Sequence, residues 1–316
     1  MHSEFTPQKL LQAANRIASF IHQTPVFTCS SLNHMSEAKL FFKCEHFQKG
    51  GAFKIRGATN AGLQLSPQQR QRGLATHSSG NHAQAVALIA KRLGVAAHIV
   101  MPENSTAVKV QAVAEYGGHI HFCKPTLQAR EEKLAEILQQ TGAAFIPPYN
   151  DERVIIGQST VAQELFHTVT DLDMVIAPVG GGGLLSGTSL AAHFFSPHTR
   201  VYGAEPAGAD DAWQSLRAGS IQPVGQPQTI ADGLLATLGN ITFAVIQKYS
   251  TGILVVSEEE IIHALRLIWE RMKLVVEPSA AVALAAVLKN KSLFKKKRVG
   301  IILSGGNVDL TRLPFH

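Results

Sequence analysis

The stretch Glu45–Ala58, EHFQKGGAFKIRGA, decides the organisation of the whole chain. Gly50 and Gly51 interrupt any regular run just ahead of Ala52-Phe53-Lys54-Ile55-Arg56-Gly57. The spacing predicts a turn that delivers Lys54 to the start of a helix running to about Gln64. Burial at such a position lowers the pKa of an ammonium and frees the neutral amine, a nucleophile toward carbonyl compounds. A lone lysine on a helix is more often an ordinary surface charge. Here the company downstream weighs the other way.

Pro178-Val179-Gly180-Gly181-Gly182-Gly183-Leu184 follows an apolar run that reads as a buried strand and precedes a helical pattern. Four glycines let backbone N–H groups converge on an anion, and the helix adds its positive end, so the loop reads as a phosphate cradle. A glycine-rich tight turn is the plain alternative. The loop is not GxGxxG, and no GxxxxGK[ST] occurs, which argues against dinucleotide or ATP-hydrolysis chemistry. Ser78-Ser79-Gly80-Asn81-His82 also lies between a strand and a helix. Its hydroxyls, amide and orphan backbone donors suit a carboxylate, although Ser79 or Asn81 can equally cap the helix. Ser304-Gly305-Gly306-Asn307 closes the last strand, and Glu205-Pro206-Ala207-Gly208-Ala209-Asp210-Asp211 reads, on spacing alone, as an acidic surface loop.

Taken together, these segments resemble the fold-type II pyridoxal-phosphate enzymes of the serine/threonine dehydratase and serine racemase family. The likeness continues through TIADG and WERMKLVVEPSAA and spans nearly the whole chain in order. Gly50 and Ala52 stand where threonine and serine are usual; both are small, so the lysine linkage is expected to survive. The resemblance implies a fold of two doubly wound parallel-sheet α/β lobes. Residues 1–66 with 151–316 would form the large cofactor-binding domain and 67–150 the small substrate-side domain. It implies that Lys54 holds pyridoxal 5′-phosphate as a Schiff base and acts as general base. Gly180, Gly181, Gly182, Gly183 and Leu184 would take the phosphate, with Phe53 and Gly233 near the ring.

By the same resemblance Ser78, Ser79, Asn81 and His82 face an amino-acid substrate, and Asn81 also meets the phenolic oxygen of the cofactor. Ser304 matches the serine that hydrogen-bonds the pyridine nitrogen. A hydroxyl does not hold that nitrogen protonated, so the ring is a poorer electron sink and loss of a β-substituent is favoured. Glu205, Ala209 and Asp211 match a divalent-cation site, and two carboxylates with a carbonyl suit Mg2+, Mn2+ or Ca2+. The implied reaction is dehydration of L-serine, L-threonine or a related 3-hydroxy amino acid to a 2-oxo acid and ammonia. Serine racemisation is the alternative, with Ser79 serving the second face; Tyr149 in PPYND looks dehydratase-like at a position where racemase has asparagine. Lys49 and Lys109 match positions of the racemase's nucleotide site, with Gly50 replacing a threonine there. A homodimer without a C-terminal effector-binding domain is implied.

Bulk properties limit other classes. The 316 residues suggest about two domains of 100–200 residues. Hydrophobic residues make up 45% and charged residues 16%, as in ordinary globular proteins. The net charge of +6 concentrates in KNKSLFKKKR (Lys289–Arg298), which has no aromatic ladder or nucleic-acid motif and reads as a solvated loop. No nucleic-acid partner is expected. Cys29, Cys44 and Cys123 form no CxxC, which argues against disulfides and thiolate zinc. The N-terminus carries Glu4 and lacks a signal-peptide core, and AAVALAAVL is too short to span a bilayer, so a cytoplasmic protein is expected.

Along the chain, Thr6-Pro7 opens an amphipathic helix, TPVFTCSSLN and KLFFKCEHF read as strands, and LSPQQRQRG as a turn. From about residue 70 to 145 the pattern is β-loop-α-β-α-β-α, with Gly94 and Thr126 as a helix stop and start. MVIAPVG, RVYGAE and RVGIILSGGN read as later strands, separated by helices. The histidines are scattered without zinc spacing, and His98, His119 and His121 look like strand residues with no catalytic role.

Overall fold

The computed structural model describes residues 5–223, 225–311 and 313–315; Glu4 lies outside them. Ten strands form: β1 (Val26–Phe27), β2 (Lys39–Cys44), β3 (Leu74–His77), β4 (Ala97–Pro102), β5 (Gly118–Cys123), β6 (Ala144–Phe145), β7 (Met174–Pro178), β8 (Arg200–Pro206), β9 (Gly252–Val256) and β10 (Arg298–Leu303). They make a six-stranded sheet, ordered β1-β2-β10-β7-β8-β9, and a four-stranded sheet, ordered β5-β4-β3-β6. All pairings are parallel except β1 with β2. This is the expected α/β architecture of two parallel-sheet lobes.

The central strands are apolar without alternation, as burial on both faces requires. Every residue of β7 is buried, and five of the six in β10. One face of the large sheet is covered by the helix Pro278–Lys289, buried on nearly all sides because its sequence, PSAAVALAAVLK, is apolar around the whole circumference. On the other face lie the helices Glu152–Thr168 and Gly183–Phe195. The helix Lys54–Leu63 sits directly on Glu152–Thr168: a Cβ on Gly157 would stand 2.7 Å from the Cα of Gly57. Only glycine allows that approach.

Thr6 caps the helix Pro7–Ile17, its hydroxyl accepting from Lys9 N at 3.3 Å. Gly94 ends Asn81–Leu93 in the left-handed region, and Thr126 caps Leu127–Thr141, both as the sequence indicates. Other expectations need correction. After Phe27 the chain makes a helix, Ser30–Ser36, and not a longer strand. LSPQQRQRG contains the helix Pro67–Gln71, closed by a Ser66/Gln69 capping box. KNKSLFKKKR is not a simple solvated loop: Lys291–Phe294 is helical and buries Phe294. Strands β6 and β9 are additional to the strands that the sequence pattern indicates. The three cysteines are free thiols. No helix among the described residues is long and apolar enough to cross a membrane.

A candidate active site at the strand ends

The loops singled out in the sequence leave the C-terminal ends of β2, β3, β7 and β10, the edge at which open α/β sheets bind ligands. They converge on a cavity of about 700 Å3 between the sheets, lined by Lys54, Ser79, Asn81, the glycine loop and Ser304 among others.

Lys54 is the first residue of its helix, and the preceding turn is pinned to the last loop of the chain. Phe53 N donates to the Ser304 carbonyl at 3.1 Å, and Gly306 N to the Gly51 carbonyl at 2.9 Å. Gly50 and Gly51 both have φ of 72°, a conformation in which a β-branched threonine would be strained. Glycine at position 50 is therefore well matched to its backbone. The Lys54 amine donates to the Pro148 carbonyl at 2.9 Å and lies 5.3 Å from the centre of the Phe53 ring. Burial lowers its pKa to about 8, with the Glu277 charge pulling the other way.

Beneath Lys54 lies a closed set of four charges. The fully buried Arg56 guanidinium donates from Nε and Nη2 to Glu45 at 2.7 and 2.8 Å. It donates from Nη1 and Nη2 to Glu164 at 2.6 and 2.8 Å. The Lys43 amine joins Glu164 at 2.5 Å. Burial works against the charges on Lys43, Glu45 and Arg56, yet Arg56 holds the Glu45 carboxyl below its ordinary range.

Gly182, at φ 85°, precedes the first turn of Gly183–Phe195. A Cβ on Gly180 would lie 2.9 Å from the Cα of Leu234, and one on Gly182 2.7 Å from Leu238. On Gly181 it would collide with the Tyr149 ring. Packing thus demands glycine at these positions, which leaves the backbone open to the cavity, and Leu184 lines it beside them. Gly233 N donates to Ser279 Oγ at 2.9 Å.

Neither Ser79 nor Asn81 caps the helix Asn81–Leu93: the residue before it is Gly80, and no side-chain cap bond forms. The capping alternative is corrected; Ser78 and Ser79 face the cavity. Asn81 is the first helical residue, and both ends of its amide are engaged across the cleft. Nδ2 donates to Glu277 Oε1 and Oε2 at 2.9 and 3.1 Å, while Oδ1 accepts from Asn307 Nδ2 at 2.9 Å. His82 donates from Nε2 to the Ile146 carbonyl at 2.9 Å. Burial, then the Lys54 charge, depresses its pKa to about 3, so the ring is neutral.

At the acidic loop, Glu205 and Asp211 are buried, and Ala209 with them. Glu205 accepts from Ala212 N at 3.1 Å and Trp213 N at 2.9 Å. Asp211 accepts from Leu238 N at 3.2 Å through Oδ2, whereas its buried Oδ1 has no protein donor. Burial raises both carboxyls, Asp211 to about 6. Two buried acids, one with an orphan oxygen, fit a hard cation. No cluster of three or more His, Cys, Asp or Glu ligands occurs among the described residues, so the remaining ligands would be carbonyls and water.

Two cavity residues were not singled out in the sequence: Glu277, buried in the wall, and Arg130, which also lines the cavity. Lys109, matched in the sequence to a nucleotide site, instead forms an ion pair with Asp232 at the cavity. Glu277 had a signal: it is the one charge in LVVEPSAAVALAA.

A family model described as pyridoxal-phosphate dependent enzyme matches residues 17–305. The chain belongs to that family. Among its relatives are the beta-hydroxyaspartate dehydratase of Paracoccus denitrificans, 47% identical over 98% of this chain and 99% of that protein, and the serine racemase of Dictyostelium discoideum, 46% identical over 98% and 96%. Maize serine racemase superposes with a TM-score of 0.94 at 45% identity, covering 96% of this chain and 94% of that one. The chain is therefore a fold-type II pyridoxal-phosphate enzyme of the hydroxy-amino-acid lyase and racemase group. The buried amine and the glycine cradle, which no side chain can fill, suit the aldehyde and phosphate of this cofactor.

Proposed function

We propose that this enzyme eliminates water from a 3-hydroxy amino acid, giving a 2-oxo acid and ammonia, with 3-hydroxyaspartate as preferred substrate. The observation that carries this reading is the Lys54 amine, turned into the cavity with its pKa lowered to about 8. An amine so tuned accepts an α-proton near neutral pH. When bound, pyridoxal phosphate supplies the electron sink that makes that proton acidic. Gly180–Gly183 would hold its phosphate, Phe53 and Gly233 would flank its ring, and Ser304 would face its nitrogen. Ser78, Ser79, Asn81 and His82 would bind and orient the substrate carboxylate. Membership of β3–β6 in one sheet and of the other strands in the second supports the lobe division at residues 66/67 and 150/151.

Arg130 supports the substrate ranking. A guanidinium on the cavity rim offers paired N–H donors to a second carboxylate, which serine and threonine lack. The Paracoccus relative, a hydroxyaspartate dehydratase by name, points the same way. Assays of ammonia, 2-oxo acid and D-isomer on 3-hydroxyaspartate, serine and threonine test this, with at least a roughly tenfold higher kcat/KM expected for hydroxyaspartate. Equal rates on all three would remove the role given to Arg130.

Racemisation is the second reading, favoured by the several serine racemases among the relatives. It requires an acid–base group on each face of the α-carbon, and Ser79 is the candidate for the second. Ser79→Ala is expected to suppress D-serine formation while elimination persists, weakened by disturbance of the carboxylate loop. Chiral analysis of products from L-serine decides the order: D-serine forming faster than pyruvate in the wild type would reverse it.

Glu205, Ala209 and Asp211 would hold a divalent cation remote from bond breaking. Leu238 joins this loop to the cradle, since its N–H binds Asp211 and its side chain packs at Gly182. Chelator is expected to lower the melting temperature of wild type and leave Glu205→Ala unaffected. Equal responses in thermal melts of both proteins would place the ion elsewhere.

A further inference from the structure

Glu277 is a carboxyl that the fold goes to some length to place. It stands immediately before the helix Pro278–Lys289 yet makes no side-chain cap bond to it, so its carboxylate does not serve its own helix. Only 3% of the residue is exposed. Gly305 leaves room for it: a Cβ there would lie 2.7 Å from Oε1. The backbone holds it in turn, Glu277 N donating to the Gly305 carbonyl at 3.1 Å. Burying an acid is costly unless its charge is used, and sites that do so are enriched in function.

The hydrogen bonds around it run in one direction. The Gly50 carbonyl can only accept, so Asn307 must present Nδ2 to it, at 2.8 Å. The same Nδ2 then meets Asn81 Oδ1, which turns Asn81 Nδ2 toward Glu277. A carbonyl at one end and a carboxylate at the other thus fix both amides. Asn81 Nδ2 carries two hydrogens. Both Glu277 oxygens lie within reach of it, at 2.9 and 3.1 Å, so the carboxylate grips the amide at two points.

We infer that Glu277 is a positioning residue, which holds the Asn81 amide toward the cavity and supplies the negative charge that keeps the Lys54 amine a competent base. This rests on the role proposed for Lys54. Glu277 and Lys54 form a pair across the cavity; the other titratable groups facing them are neutral His82 from Asn81–Leu93, Lys109 from Ala107–Glu115 and Asp232 from the loop before Asn240–Tyr249. Lys109 and Asp232 neutralise one another at the mouth, so Glu277 is the negative charge acting on the amine from within. Burial, then the Asp232 charge, raises the Glu277 carboxyl to about 7, with Asn81 opposing. Both groups of the pair therefore titrate close to neutrality, and loss of the α-proton to Lys54 creates an ammonium that ionised Glu277 stabilises.

Glu277→Gln separates charge from shape, because the glutamine oxygen still accepts from Asn81. The pH dependence of Lys54 reductive methylation in the cofactor-free full chain, read by peptide mapping, reports the amine directly. Its midpoint is expected to move to lower pH by about one unit, a tenfold change in protonation. Glu277→Asp should restore most of it, and the pH profile of kcat in the holoenzyme should shift with it. Asn81→Ala, which deprives the carboxylate of its donor and so favours its neutral form, should move the midpoint the same way; it decides the matter if Glu277→Gln does not fold. An unmoved midpoint in the folded variant overturns the inference. Borohydride reduction of wild-type holoenzyme separates the two failures, since a label on a lysine other than Lys54 overturns the underlying reading instead.

Discussion

Lys54→Met lowers ammonia release by about 10^4-fold or more and at the same time stabilises the cofactor-free protein. The loss is expected because the proposed base and the amine proposed to anchor the cofactor disappear together. Borohydride reduction and peptide mapping of the wild type should place the label on Lys54, and the variant should show no yellow lysine linkage. The gain in stability follows from the pKa. The folded value of about 8 lies below the ordinary 10.5. Stability from this group is therefore fully present above pH 10.5 and is lost as pH falls through 8. At pH 7 the ammonium sits in poor surroundings at full cost, and methionine removes that cost without changing the shape much. Allowing for partial exposure to the cavity and an abandoned Pro148 carbonyl, the gain is on the order of 1–2 kcal/mol. It should be greatest near pH 7 and fade toward pH 10.5. Urea unfolding at both pH values measures it, and a destabilised variant at pH 7 would mean that the amine is not paying a desolvation cost.

Arg56→Met is expected to have the largest effect on stability, a loss of about 3–5 kcal/mol. In the wild type two cations balance two carboxylates, all buried except the partly exposed Glu164. Removing the guanidinium leaves Glu45 and Glu164 with Lys43 alone. The Glu45 carboxylate, whose two oxygens now accept from Arg56 at 2.7 and 2.8 Å, would retain Thr24 at 2.5 Å as its side-chain donor. A typical domain has only about 5–15 kcal/mol to lose. The urea midpoint should fall with little change in slope, and activity should fall with it, because Arg56 fixes the helix that begins at Lys54. A midpoint shift worth less than about 1 kcal/mol would show that the carboxylates find other partners.

Much of the site was legible because its loops carry local chemistry. Glycine runs mark close backbone approaches, and the quoted motifs follow strands and precede helices, which places them at one edge of each sheet. The elements missed lacked such marks. β6 has two residues and exists only because Ile146 N and Ala144 N pair with carbonyls of the β3 segment. β9 is a five-residue edge strand with three of its residues only partly buried. The Pro67–Gln71 helix did carry a signal, serine three residues before glutamine, which the proline in between made easy to read as a turn.

The sequence by itself determined the chemistry on offer: an amine behind two glycines, a four-glycine cradle, a serine–asparagine loop, and a family resemblance that the relatives bear out. It did not show what faces what. Asn81 meets Glu277 across 196 positions and Asn307 across 226, and Arg56 meets Glu164 across 108. Helical and strand periodicities record only which side of an element is buried, over a few residues. Which buried charge neutralises which, and hence whether Lys54 is a base near neutral pH, is settled when separate strands bring their C-terminal ends together around one cavity. Electrostatics in a low-dielectric cleft depends on those distances, and no local pattern encodes them.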